Sequence, residues 1–353
     1  MKVVFSQHQK QHEPKIMFVA GGPQPHPEVP ERADRLFDAA QKSGLSPVEP
    51  IDYGLEHIET VHTARYLHYL ENIFTRWSRI KEASVEVMPG SHPDRRDCGY
   101  PDSAEGQAGF YQSDLECPIG EHTWSRALWS AHSSAHVAHQ VLGGDGACYS
   151  LCRPPGHHAA KDFAAGFCYL GNTAIAATTL LQKFKRVAII DVDVHHGNGT
   201  QDIFYDRADV LTVSIHADPV RFYPFFWGHA DEKGVGDGKG FNINFPLVPG
   251  TGDDEYLQTV DSAIASIKQF SPDALVIALG LDAYEGDPLS GLAISTDGFA
   301  RIANRIAAMA LPTVIVQEGG YLAEELGQNL SSFLEGFMSS INVESPKFVL
   351  RCE

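Results

Sequence analysis

The sequence predicts an α/β fold, with a parallel sheet covered by helices on both faces. Three observations carry this. From residue 147 onward, short runs rich in Val, Ile and Leu alternate with longer amphipathic stretches. The runs at 187–190 and 274–279 are apolar without interruption, as strands buried on both sides are. Several runs end in polar, glycine-bearing segments, and open α/β sheets collect function outside the carboxyl ends of their strands.

Taken in order, residues 1–6 read as a short strand, followed by a polar, Pro-rich loop through Gly21-Gly22-Pro23-Gln24-Pro25-His26-Pro27. Pro30-Glu31-Arg32 opens a helix that runs through Ala40; proline suits a first turn, where its missing N–H is not needed. Residues 60–80 read as a helix, with Val61, Tyr66, Leu67, Leu70 and Phe74 at helical spacing. Residues 84–121 show no sustained period, and an irregular insert of that length is expected to be functional or to form an interface. A helix over 124–142 carries Trp124, Leu128, Trp129 and Val137 on one side. Strands follow at 147–152, 187–190, 210–215, 241–245, 274–279 and 313–317. Helices are expected at 172–183, 253–269, 297–309 and 322–340. The chain has no internal repeat, low-complexity tract or linker, so one domain is expected over 1–353.

The formal charge is −18, from 27 basic and 45 acidic residues. That disfavours a nucleic-acid partner and favours a cationic substrate. The six cysteines form no C-x-x-C pair, which fits a reducing, cytoplasmic setting. No secretory signal opens the chain and no apolar run is long enough for a membrane, so no membrane partner is expected. Without secretion the N-x-[ST] matches at Asn198 and Asn329 carry no meaning. The run Gly234-Val235-Gly236-Asp237-Gly238-Lys239-Gly240 precedes a strand rather than joining a strand to a helix. It is therefore expected to be a mobile surface loop and not a nucleotide cradle.

The chemistry centres on the strand at 187–190. It delivers Asp191, Asp193 and His195 at alternate positions, so their side chains share one face. Two carboxylates and an imidazole at the end of a buried strand are costly to desolvate, and a divalent cation is the simplest compensation. Asp282, after the strand at 274–279, supplies a third ligand. Such a mixed N/O set suits Zn²⁺, and also Fe²⁺ or Mn²⁺. His157 and His158 follow another strand and can serve as general base and general acid. Asp191 and Asn198 lie near enough to fix their tautomers. Tyr321, on a flexible Gly-Gly turn, can donate to a developing oxyanion.

Four segments together resemble the histone deacetylase and acetylpolyamine amidohydrolase superfamily. They are Arg153-Pro154-Pro155-Gly156-His157-His158, the run from Asp191 to Thr200, the run from Gly280 to Pro288, and Glu318-Gly319-Gly320-Tyr321. The resemblance spans about residues 20 to 338. It implies the arginase–deacetylase fold around an eight-stranded parallel sheet, and hydrolysis of an N-acyl amide by metal-activated water. It implies zinc at Asp193, His195 and Asp282, acid/base roles for His157 and His158, oriented by Asp191 and Asn198, and an oxyanion role for Tyr321. It also implies structural K⁺ at Asp191, Asp193, His195, Ser214 and Ile215, and a second K⁺ at Phe204, Arg207 and Val210.

The resemblance places substrate contacts at Gly166, Phe167, Tyr223 and Gly320, with the two aromatics walling a slender tunnel. It matches the insert at 84–121 to the loop by which bacterial acetylpolyamine amidohydrolases dimerise and narrow their entrance, so a homo-oligomer, dimer or tetramer, is expected. Glu105-Gly106-Gln107 followed by Glu116 is similar to their acidic pattern, in which a carboxylate meets a distal ammonium. Met17 stands where these enzymes carry an acidic residue. The expected substrate is therefore a small cationic amide such as an acetylpolyamine. The alternatives are other amides, including acetyl-lysine peptides or a xenobiotic amide, and a non-catalytic metal-site binding protein. The last is disfavoured because every catalytic position is filled.

Overall fold

A computed structural model describes residues 1–94 and 97–343. Arg95 and Arg96 of the 84–121 insert, and residues 344–353 of the domain expected over 1–353, lie outside the described residues. The chain opens with β1 (Lys2–Val4), the hairpin β2 (Ile16–Val19) and β3 (Gly22–Pro25), α1 (Pro30–Lys42) and β4 (Ser46–Val48). Four helices follow: α2 (Glu56–Glu59), α3 (Ala64–Trp77), α4 (Ala104–Tyr111) and α5 (Thr123–Leu142). Alternation then sets in with β5 (Ala147–Ser150), α6 (Asn172–Leu180), β6 (Val187–Asp191), α7 (Asn198–Phe204), β7 (Val210–Ala217) and β8 (Asn242–Leu247). The chain ends with α8 (Asp253–Phe270), β9 (Ala274–Leu279), α9 (Thr296–Ala307), β10 (Thr313–Gln317) and α10 (Leu326–Val343).

Eight strands pair in the order β4-β1-β5-β10-β9-β6-β7-β8, and every pairing is parallel. This is the arginase–deacetylase fold. Its four central strands, β5, β10, β9 and β6, are buried at every residue. Side chains still alternate between two cores, because the strand period is two even where the run is all apolar. Ala188, Ile190 and Ile277 face α1, α8, α9 and α10, beside Leu36, Val260, Phe299 and Phe333. Ile189, Val276 and Val314 face the other side, beside Leu70 of α3, Ala131 of α5 and Ile175 of α6. Each such buried aliphatic side chain contributes about 1.5–3 kcal/mol relative to exposure. Helix starts are fixed locally: the Thr63 and Ser295 hydroxyls accept from the N–H groups of Tyr66 and Gly298.

Several segments differ from the sequence reading, which also had no helix at α2 or α7. The Pro-rich stretch before α1 contains the β2–β3 hairpin, turned at Ala20 and Gly21 with φ of 50° and 79°, as a type I′ turn requires. The three-residue edge strand β4 carries Pro47, which an edge tolerates. The insert at 84–121 is partly regular, since it holds α4 and a bridge between Val87 and Ile119. The glycine run at 234–240 is a packed turn rather than a mobile loop: a Cβ at Gly238 would lie 2.5 Å from the Tyr205 carbonyl oxygen. Four of the cysteines are buried, and Cys98 is exposed. Among the described residues no helix is long and apolar enough to cross a membrane.

Candidate active site

The carboxyl ends of β5, β6, β9 and β10 converge on one point. The β6 end delivers Asp193 and His195, and the β9 end delivers Asp282. One ligand atom from each lies within 4.8 Å of the others. His195 Nδ1 is 3.1 Å from Asp193 Oδ1 and 3.3 Å from Asp282 Oδ2. The outer oxygens are held by backbone: Asp193 Oδ2 accepts from the Gly319 N–H at 2.8 Å, and Asp282 Oδ1 from the Val194 N–H at 3.1 Å. Asp282 Oδ2 is buried and accepts no hydrogen bond. Burial and the nearby Asp193 push the Asp282 carboxyl up. Burial acts the same way on Asp193, but His157 and His195 outweigh it and hold that carboxyl low. An orphaned carboxylate oxygen facing an imidazole and a second carboxylate fits a cation. Two glycines keep the space open. A Cβ at Gly280 would lie 2.2 Å from Asp193 Oδ2, and one at Gly319 would lie 2.0 Å from Asp282 Oδ2.

The tandem histidines follow β5, with ring centroids 4.0 Å apart. His157 Nδ1 is 3.0 Å from Asp191 Oδ2, and His158 Nδ1 is 2.7 Å from Asn198 Oδ1. An amide oxygen only accepts, so the His158 proton sits on Nδ1 and Nε2 keeps its lone pair. The two rings are tuned apart. Burial, then His157 and His195, push His158 well below the ordinary imidazole range. Burial acts the same way on His157, but Asp193 and Asp191 outweigh it and raise that ring to about 10. Such a split is the mark of paired acid/base groups. The Glu318 carboxylate underpins the segment, accepting from the N–H groups of Gly156 and His157 at 2.6 and 2.9 Å and from the Thr173 hydroxyl at 2.6 Å.

Tyr321 follows β10, but its Gly-Gly turn is fastened rather than flexible. The Gly319 N–H is bound to Asp193, the Gly320 carbonyl accepts from Arg32 Nε at 2.5 Å, and the Tyr321 N–H donates to Asp287 Oδ2 at 2.7 Å. Arg32 also donates to the Glu318 carbonyl and stands over the Tyr321 ring at 4.8 Å. Its charge is met by Glu28 at 2.7 Å, and the pair is fully buried.

A cavity of about 350 Å³ leads to these groups, walled by Phe167, Phe222, Tyr223, Met17, Glu116 and Gly166 among others, with His158, His195 and Tyr321 at its lining. Phe167 stands on a tight turn between the bridged Ala165 and Cys168, with Gly166 and Phe167 both at positive φ, 48° and 69°. A Cβ at Gly166 would lie 2.4 Å from the His158 ring, so only glycine fits there. Phe167 meets Tyr321 edge-on at 5.7 Å, and Phe222 stacks on His195 at 5.0 Å. Gly320 is not among the lining residues; its carbonyl is taken by Arg32 instead. Glu105 lies exposed on α4 and outside the lining, while Glu116 is half-buried in it. Burial, then the neighbouring Asp114 carboxylate, push the Glu116 carboxyl up to about 7, against the pull of His195.

Sequence reasoning missed Asp114, Arg32 and Asp287. Asp114 Oδ2 accepts from the Tyr223 hydroxyl at 2.6 Å and from the Gly166 N–H at 3.0 Å, so one carboxylate ties both cavity walls to the insert. Its two-residue spacing from Glu116 was the available signal. For the expected K⁺ ligands, Asp191 and Ser214 are register partners across β6 and β7, and Ile215 follows on β7. Phe204, Arg207 and Val210 share the turn from α7 to β7, where the Phe204 carbonyl accepts from the Arg207 N–H at 3.0 Å.

Comparison with known proteins decides the family: residues 26–337 match the histone deacetylase domain. The chain belongs to the histone deacetylase and acetylpolyamine amidohydrolase superfamily. It is a hydrolase acting on amide bonds. It is 46% identical over 340 residues to an acetylpolyamine amidohydrolase of Burkholderia pseudomallei, covering 96% of this chain and 98% of that one. It is 40% identical over 341 residues to the acetylpolyamine amidohydrolase of Mycoplana ramosa, covering 95% and 99%. A crystal structure of the acetylpolyamine aminohydrolase from Burkholderia pseudomallei superposes with a TM-score of 0.94 at 45% identity, covering 96% of this chain and 99% of that one.

Proposed function

We propose that this protein is a zinc-dependent deacetylase of acetylated polyamines or similarly small cationic amides. The observation that carries the reading is Glu116, a half-buried carboxylate in the wall of an aromatic cavity that reaches His195. An ammonium at the far end of a slender chain meets its charge there, with some cation–π attraction from Phe167 and Tyr223. The relatives named acetylpolyamine amidohydrolases, at 40–46% identity, support the same class.

Asp193, His195 and Asp282 would hold the metal, with Zn²⁺ preferred and Fe²⁺ or Mn²⁺ compatible. An ion held there would supply Lewis-acid chemistry, acidifying a water and polarising the amide carbonyl. The chain's own groups do the rest. His158 takes the water's proton at its free Nε2, oriented by Asn198. His157 keeps its proton against Asp191 and supplies positive charge beside its neighbour. The leaving nitrogen is protonated from this pair. Tyr321 donates its hydroxyl to the oxygen on which negative charge develops, and its fastened turn holds it in place. We also assign K⁺ to the two expected sites, and a cytoplasmic homo-oligomer of dimer or tetramer size in which the 84–121 insert shapes the entrance.

The test is turnover of N-acetylputrescine beside an acetyl-lysine peptide, with and without a chelator. The expected result is chelator-sensitive hydrolysis that favours the diamine. Met17 lends the wall an apolar patch, and a strong preference for the peptide would shift the assignment to acetyl-lysine. No hydrolysis of any amide by the zinc-loaded protein would overturn the reading.

A further inference from the structure

Away from the cavity, α5 carries His132, His136 and His139 at i, i+4 and i+7, on one helix face. His57 of α2 packs against them, its ring centroid 5.2 Å from that of His132. None of these residues lines the cavity described above.

Their hydrogen bonding is unequal. His136 is engaged at both nitrogens: Nδ1 lies 3.1 Å from the Tyr53 hydroxyl, and Nε2 lies 3.2 Å from the Gln140 amide. His132 Nε2 lies 3.2 Å from Asp52 Oδ1. Its Nδ1 is buried with no partner. His57 is only 8% exposed, and neither of its nitrogens has a partner. Each buried polar atom left unpaired costs about 1–3 kcal/mol, so three of them on two adjoining rings call for an occupant.

We propose that His57 and His132 form a second metal site, for a divalent ion from the zinc, copper and nickel end of the first transition row. Neutral imidazole suits these ions. The Asp52 contact is the carboxylate–histidine pairing that orients metal-binding imidazoles and raises their basicity. Asp52 is 70% exposed, so the Nε2 edge of His132 stands close to the surface. Water completes the coordination, because among the described residues the only three-residue ligand group is Asp193, His195 and Asp282.

The test is equilibrium dialysis of the whole protein against micromolar Zn²⁺, with bound metal counted by elemental analysis. Wild-type protein is expected to hold two equivalents, one of them in the cavity. His57→Gln and His132→Gln are each expected to hold one. Fewer than two equivalents on wild type, or a second equivalent that persists in both variants, overturns the proposal. A measurement on the wild type alone backs this. Cu²⁺ added to the zinc-loaded protein should displace zinc from this site, since imidazole binds Cu²⁺ more tightly, and give a paramagnetic resonance spectrum split by two imidazole nitrogens; a spectrum without nitrogen coupling overturns the site.

Discussion

In the proposed reaction, Tyr321 and Glu116 divide the labour at the level of single side chains. Tyr321→Phe deletes one donor and leaves the ring against Phe167 and Arg32 undisturbed. It is expected to lower kcat about 10²–10³-fold with zinc content unchanged, read by steady-state kinetics and elemental analysis. Full activity would remove the hydroxyl from the reaction. Glu116→Ala is expected to raise KM for N-acetylputrescine about tenfold, equal to about 1.4 kcal/mol, and to leave KM for a neutral-tailed amide nearly unchanged. The pH dependence has a definite sign. The Glu116 carboxyl is raised to about 7, so it gains a proton and loses its charge as pH falls through that value. KM for the diamine should therefore climb on the acid side of about pH 7 in wild type, and this climb should vanish in Glu116→Ala. Parallel pH profiles for cationic and neutral amides would mean that another group meets the tail.

Strands and turns, rather than single residues, decide where these groups stand. The turn after β10 is tied to Asp193, Arg32 and Asp287, and its glycines leave room for the carboxylates below. Gly319→Ala would thrust a methyl against Asp282 Oδ2 and is expected to cut metal occupancy several-fold by elemental analysis, with a lower melting temperature. Unchanged occupancy would show that the turn can back away. At this scale the sequence was legible where hydrophobic runs were long. β6, β9 and β10 declared themselves, and with them Asp193, His195, Asp282 and Tyr321. β4 was hidden by its three-residue length and Pro47, and the β2–β3 hairpin by two prolines. α4 was obscured by Gly106 and Gly109, the latter passing so close to the Ser91 backbone that no Cβ fits. The contacts of Asp114 and Arg32 were hidden for another reason, although the spacing of Asp114 from Glu116 hinted at its place. Their partners lie 109 and 288 positions away, and no local pattern records such a meeting.

The molecule as a whole carries a formal charge of −18, and such a net charge attracts cations. Raising ionic strength from about 0.01 to 0.15 M shortens the screening length from about 30 to 8 Å. kcat/KM for N-acetylputrescine should fall severalfold over that range, while a neutral amide of equal length stays level; equal salt dependence would place the attraction elsewhere. The strand order has a consequence for biosynthesis. The neighbours β10, β9 and β6 meet at the metal ligands, yet the pieces emerge from the ribosome far apart in time. A nascent chain that stops short of residue 282 lacks its third ligand, and one that stops short of Gly319 lacks the donor that steadies Asp193. The full candidate ligand set, with the donor that steadies Asp193, therefore exists only once the chain has been made through Gly319.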